Sequence, residues 1–124
     1  MKRFFIPLLA IAGLLLAGAV ILTLNTRVDK IEGLDGLKER QYFFGKLAAE
    51  RSYADGKLSG PTKIYYGDGK IKSEWSFSAG VKQGTAKHYT PEGNLRYQDE
   101  YADGKRISRQ EFDSRGNAVG SSKP

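Results

Sequence analysis

Few residues in this chain are suited to covalent chemistry. Among its 124 residues there is one histidine, His88, and no cysteine. The absence of cysteine excludes a disulfide, a thiolate nucleophile, a cysteine-ligated zinc site and lipid attachment at a lipobox. A site built on two histidines is excluded as well. His88 could serve as a general base only beside a positioned partner. The sequence shows no such partner, and His88 stands where an earlier, similar stretch has Ile64. It therefore reads as a sheet residue. Two carboxylates could in principle hydrolyse a glycosidic bond. Asp55, Asp68 and Asp103, however, each precede a glycine, a turn slot where aspartate is expected for backbone reasons. Glu74, Glu100 and Glu111 fall on a charged face. The glycines are periodic and open no helix, so they do not read as a phosphate-cradling loop. No enzyme, metal site or cofactor is expected.

What remains is non-covalent chemistry, carried by aromatic and basic side chains. Twenty Lys and Arg against fourteen Asp and Glu leave a formal charge of +6. Without Lys2 and Arg3 the balance is 18 to 14, or +4. Lys63, Lys70, Lys72, Lys87 and Arg96 recur along the chain and form a candidate basic face. Such a face could attract anionic lipid headgroups, cell-wall polymers or an acidic protein. It also reads as a solvated surface that protects strand edges. Tyr65, Trp75, Phe77, Tyr89, Tyr97 and Tyr101 form a candidate aromatic row, either part of a core or a partner-binding surface.

The elements that must position these residues follow from glycine spacing. Gly45, Gly56, Gly69, Gly80, Gly93, Gly104 and Gly116 follow one another at spacings of 11, 13, 11, 13, 11 and 12. The alternation makes a repeat of about 24 residues, within the range of known repeat architectures. Tyr53-Ala54-Asp55-Gly56-Lys57 returns as Tyr101-Ala102-Asp103-Gly104-Lys105. Gly60-x-x-Lys63-x-Tyr65 returns as Gly84-x-x-Lys87-x-Tyr89, and Gly36 fits the slot of Gly60 and Gly84. The last unit is one residue short and has Ser108 in place of the glycine, as a terminal cap would.

Asp55-Gly56, Asp68-Gly69 and Asp103-Gly104 read as tight hairpin turns with positive φ. Between turns the pattern alternates. Ile71, Ser73, Trp75 and Phe77 fall on one side, with Lys70, Lys72, Glu74 and Ser76 on the other. Alternation of this kind predicts strands with one aromatic and one charged face. The expected fold is an all-β antiparallel meander of about seven to nine strands, two per repeat. Tyr65, Tyr89 and Phe112 should stack as one ladder, Tyr53, Phe77 and Tyr101 as a second, and Leu47, Ile71, Leu95 and Ala118 as a third. At Gly60 and Gly84 a missing side chain should let backbone approach closely. Nothing in the chain is left over to cover one side, so either the sheet curls or the aromatic row is partly exposed.

Before the repeat, Phe4 to Leu24 is uncharged and apolar, long enough as a helix to span a bilayer core of about 30 Å. Lys2 and Arg3 precede it, which orients the remainder away from the cytoplasm. Two readings stay open: an uncleaved anchor in the inner membrane, or a signal peptide cut near Ala19 that releases a secreted or periplasmic protein. Either way the chain divides into residues 1–26 as this segment, 27–40 as a juxtamembrane linker and degenerate first repeat, 41–119 as the repeat domain, and 120–124 as a disordered tail. Export argues against nucleic acid as a partner.

The stretch Tyr53 to Glu74 reads Tyr-x-Asp-Gly-Lys-x-x-Gly-x-x-Lys-x-Tyr-Tyr-x-Asp-Gly-Lys-Ile-Lys-x-Glu. It returns from Phe77 to Gln98 and, worn, from Tyr101. This pattern resembles the MORN-variant repeats of bacterial YwqK-type proteins, over roughly residues 36–120. The resemblance implies MORN-type hairpins and a non-catalytic, protein-binding or membrane-attachment role. Proteins of that type are described as antitoxin components, so a toxin would be the partner. The apolar N-terminal stretch departs from the pattern and favours a membrane-anchored immunity or scaffold protein acting by occlusion. Binding of anionic lipid or wall polymer through the basic face is the alternative.

Overall fold

Two kinds of turn generate the alternating glycine spacing. The computed structural model describes residues 25–33 and 36–124. At Phe44-Gly45, Asp55-Gly56, Ala79-Gly80 and Asp103-Gly104, both central residues have positive φ, between 47° and 84°. That is the two-residue hairpin turn whose twist matches the strands it joins. Tyr66–Lys70, Thr90–Asn94 and Asp113–Asn117 are instead five-residue loops. Each is closed by an amide at its first residue donating to the carbonyl of its last. The expectation of one turn type at all three Asp-Gly pairs is corrected here. Gly69 has positive φ, but Asp68 does not, and its carboxylate accepts from the Lys70 amide at 3.0 Å.

The strands are β1 (Thr26–Gly33), β2 (Gly36–Phe43), β3 (Lys46–Ala54), β4 (Lys57–Tyr65), β5 (Ile71–Ser78), β6 (Val81–Lys82), β7 (Gly84–Tyr89), β8 (Leu95–Ala102), β9 (Lys105–Phe112) and β10 (Ala118–Ser122). They form one ten-stranded antiparallel sheet in sequence order, with β6 pairing β5. The count exceeds the expected seven to nine for two reasons. The stretch read as a linker and degenerate first repeat forms the hairpin β1–β2, as the second half of that reading requires, and an irregularity at Gln83 separates β6 from β7. The expected disordered tail is also corrected, because Gly120, Ser121 and Ser122 pair with Glu111, Gln110 and Arg109. The expected membrane helix lies outside the described residues. Among those, no helix is long and apolar enough to cross a membrane.

The expected stacking of like residues is corrected, because Tyr65, Tyr89 and Phe112 lie on alternate strands and each faces a member of the third set instead. Tyr65 pairs with Ile71, Tyr89 with Leu95, and Phe112 with Ala118. Phe77 and Tyr101 lie opposite Gly60 and Gly84. These two glycines are required by φ values of 87° and 78°, not by close backbone approach. A Cβ at Gly84 would meet nothing within 4 Å, whereas one at Gly36 would sit 2.2 Å from the Tyr53 carbonyl oxygen. Successive repeats are also tied at their turns. The Gly80 amide donates to the Leu58 carbonyl at 2.7 Å, and one repeat later Gly104 donates to Lys82 at 3.0 Å.

Register assigns every strand residue to a face. Ile64, Ser73, His88, Tyr97 and Glu111 form one row across the sheet, and Thr62 pairs with Trp75 on the same side. This is the Trp75 face. Glu50, Lys63, Glu74 and Lys87 pair across the opposite, Tyr65 face. Among the described residues the buried ones are Ala49, Thr62, Ser73, Ala86 and Asp99, and all lie on the Trp75 face. The two apolar ones are alanines. The sheet is therefore held by its ladders and by partly exposed aromatic rings rather than by a large apolar core.

A candidate binding face of stacked cations

Bulges change which side chains share a face. In β5, Ser73 opposes Ile64 and Ile71 opposes Tyr65, so Lys72 is an extra residue. In β8, Tyr97 opposes His88 and Leu95 opposes Tyr89, which makes Arg96 extra. Ala48 is the equivalent in β3. A bulge re-aims the side chains around it. Lys72 and Arg96 consequently line a depression together with Ser73, His88, Tyr97 and Arg109. The expected separation into an aromatic face and a basic face is corrected by this.

The aromatic row divides between the two faces. Trp75, Phe77, Tyr97 and Tyr101 lie on the Trp75 face by register. Tyr65 lies on the other, where its hydroxyl donates to Glu50 at 2.5 Å. Burial, then Glu50, pushes the Tyr65 hydroxyl up to about 12. The bond to Tyr65 holds Glu50 below the usual carboxylate range. Tyr89 and Glu74 repeat this pair one unit on, with the Tyr89 hydroxyl raised by burial and then by Glu74. The basic set divides too. Lys63 stays on the Tyr65 face at 4.0 Å from Glu74, Lys87 opposes Glu74, and Lys70 sits in a loop 3.8 Å from Asp68.

On the Trp75 face, cations lie over rings. Lys82 Nζ is 4.9 Å from the Trp75 ring centre and 5.1 Å from that of Tyr101. The guanidinium groups of Arg109 and Arg96 lie 4.5 and 5.1 Å from the Tyr97 ring centre. Lys72 Nζ is 5.7 Å from the Tyr66 ring, whose hydroxyl donates to the Tyr89 carbonyl at 2.7 Å. Cation–ring contacts at exposed positions contribute about 0.5–1 kcal/mol each.

Beneath this layer lies a polar cluster that the sequence reading did not assemble. Asp99 has no exposed surface. It accepts from Arg109 Nε at 2.7 Å and from Arg109 Nη2 at 2.8 Å. That bidentate bond holds its carboxyl below the usual range. His88 Nδ1 is 3.0 Å from Ser73 Oγ, and Nε2 is 3.7 Å from Asp99. Burial holds the imidazole below its ordinary value, against the pull of Asp99. His88 is thus neutral near pH 7, and the Asp99 contact is not an ion pair there. Ser73, His88 and Asp99 approach one another in the order of a hydrolytic triad. The Asp99 carboxylate, however, is committed to Arg109, and Ser73 is buried. The missed residues are Ser73 and Asp99, whereas Lys82 and Arg109 belong to the basic residues that recur with the repeat. A signal for both missed residues was present, because Asp99 stands in the repeat slot of Trp75, and Ser73 in that of Ala49.

Two stretches match the MORN repeat variant, residues 58–79 and 82–103. The two MORN units are offset by one full period of the glycine rhythm. Ser73 lies in the first, His88 and Asp99 lie in the second, and Arg109 follows it. No curated protein matches the chain in sequence. Among solved structures, the chain is similar to a variant of S. aureus TarM in complex with fondaparinux, alpha-GlcNAc-glycerol and UDP. That likeness has a TM-score of 0.53 at 13% identity, over 90% of this chain and 22% of that one. A second crystal structure of TarM gives 0.51 at 17% identity, over 88% and 21%. The chain spans about a fifth of the length of these structures, and the likeness is one of fold.

Proposed function

We propose that this chain is a non-catalytic repeat module that holds an acidic protein partner on the Trp75 face across β5–β9. It acts by covering the partner's surface. The observation that carries this reading is the stacking of Lys82, Arg96 and Arg109 on Trp75, Tyr101 and Tyr97. Aromatic residues and arginine are the side chains enriched at protein interfaces, and they dominate interface energetics. The repeats themselves suit a binding role, because a stacked sheet offers a broad surface rather than an enclosed pocket. An antitoxin role finds no support in the fold or the matches. The apolar N-terminal stretch would tether the sheet outside the cytoplasm, which a C-terminal topology reporter would test.

Crosslinking and co-purification from detergent-solubilised membranes tests the reading. Trp75→Ala should weaken partner capture by a much larger factor than its modest lowering of the unfolding midpoint accounts for. If midpoint and capture fall together, Trp75 is a packing residue and the reading fails. The same cations favour a second reading, binding of an anionic lipid or polymer. That attraction should weaken steeply with ionic strength, whereas an aromatic interface should hold.

A further inference from the structure

We infer that the depression between β5, β7, β8 and β9 is an oxyanion site that takes a phosphate or sulfate group through Lys72, Arg96 and Arg109. The inference rests on the reading that the Trp75 face, rather than the Tyr65 face, carries the ligand.

The site is where the repeat breaks its own pattern. In a stacked repeat, equivalent slots face equivalent neighbours and favour similar side chains. Ser73 replaces Ala49, His88 replaces Ile64, and Asp99 replaces Trp75. Arg109, opposite Asp99, occupies the position that Ala86 has on the other side of Asp99. All four departures meet in one place. Stacking alone does not account for them, since the neighbouring units stack without them.

The cluster is costly as a stabilising device. A buried ion pair gains little over well-packed apolar residues. Yet Asp99 is the most enclosed side chain in a sheet whose buried apolar residues are two alanines. What the pair achieves is placement. It fixes the Arg109 guanidinium over Tyr97 through Nε and Nη2, and leaves Nη1 without a partner among the described residues.

Charge is gathered there as well. Lys72 and Arg96 make no ion pair among the described residues, while Lys63, Lys70 and Arg40 each do. Arg96 donates to the Tyr97 hydroxyl at 2.8 Å and feels Glu111 only as a weaker charge. Three cations line the depression, with Asp99 already bound by Arg109 and Glu111 beside Tyr97 as the other carboxylate of this face. Like charges held together repel unless an anion joins them. Both unpaired cations are bulge residues, and the equivalent residue one repeat earlier is Ala48, so the site exists once. The depression measures about 280 Å³, has open access and is floored by tyrosine. Those dimensions suit a group presented by a larger molecule as well as a free ion.

The test uses the full chain in non-ionic detergent, titrated with inorganic phosphate by calorimetry and by emission of Trp75, the only tryptophan. Wild type should saturate. The pair Lys72→Ala with Arg96→Ala should weaken binding by at least about tenfold, since charge-assisted bonds are lost. The pair Lys63→Ala with Lys87→Ala removes the same charge from the opposite face and should stay within about twofold. Where the first pair fails to fold, Arg96→Gln alone should still weaken binding severalfold. Titration with micelles of phosphatidylglycerol identifies the source. Tighter binding there than to equal free phosphate marks a lipid headgroup, and equal binding marks the phosphate group alone. No saturation, or equal losses in both pairs, overturns the site. Saturation with phosphate is independent of partner capture, so the two readings fall separately.

Discussion

A carboxylate with no exposed surface stays charged only if its surroundings repay the lost hydration. At Asp99, Arg109 does so with two short bonds, and His88 adds a polar edge without adding charge. His88 is the acid-sensitive member of this cluster. Burial holds it below the ordinary 6.5, and Arg109 and Lys82 push it further down, against Asp99. The unfolded chain therefore binds a proton more readily than the folded chain does. By linkage, stability rises with pH across that interval and is lost as pH falls from about 6.5 downward. Asp99 contributes in a separate, lower window. Its stabilisation is present above the unfolded carboxylate value of 3.8 and is lost as pH falls through its depressed folded value. Urea midpoints at pH 7.5, 6 and 5 should fall for wild type and change less for His88→Gln, which removes the titrating ring. Parallel profiles would show that another group carries the acid sensitivity.

At the scale of the element, turns determine where strands begin and bulges determine where their side chains point. The hairpin turns demand positive φ at both central residues, yet Ala79 occupies one such position at φ 48°. An alanine there costs about 1–2 kcal/mol relative to residues that tolerate the left-handed region. The other repeats use Asp55 and Asp103 at the same slot. Ala79→Asn should therefore stabilise the protein by about 0.5–1 kcal/mol, which reads as a rise in thermal midpoint. No change would mean that the turn is strained in the wild type less than its φ suggests. Strand boundaries were largely legible in the sequence, because glycines at a fixed rhythm mark them, although Asp68-Gly69 sits in a longer loop than Asp55-Gly56 and Asp103-Gly104 do. The bulges were not. Alternation from Lys70 to Phe77 continues unbroken through Lys72, so nothing local marks the extra residue that turns it. For the same reason the cluster stayed hidden. Ser73, His88, Asp99 and Arg109 lie on four different strands, and they meet only once every intervening register is known. The strands at the N-terminal end were hidden because Val28, Ile31 and the charged residues around them alternate too weakly to announce β1.

For the molecule as a whole, the decisive fact is that the strands pair in sequence order, the one skip being β5 with β7 past the two-residue β6. Burial is local as well, since the buried residues are small and the large rings are shared between adjacent repeats. A sheet built this way approaches a one-dimensional stack, whose stability is a sum of units and nearest-neighbour terms. Its ends should then open more readily than its middle. The chain truncated after Asn117 lacks β10, whose partner is β9. In the truncated protein, amide exchange should speed up in β9 by at least about tenfold, because its outer bonds open to solvent. Amides of β3, β4 and β5, several strands away, should keep their wild-type protection within about twofold. The alternative is equally visible. If every strand loses protection together, the sheet unfolds as one cooperative unit, and the ties between repeats at Gly80–Leu58 and Gly104–Lys82 carry more of the stability than the strand pairs they join.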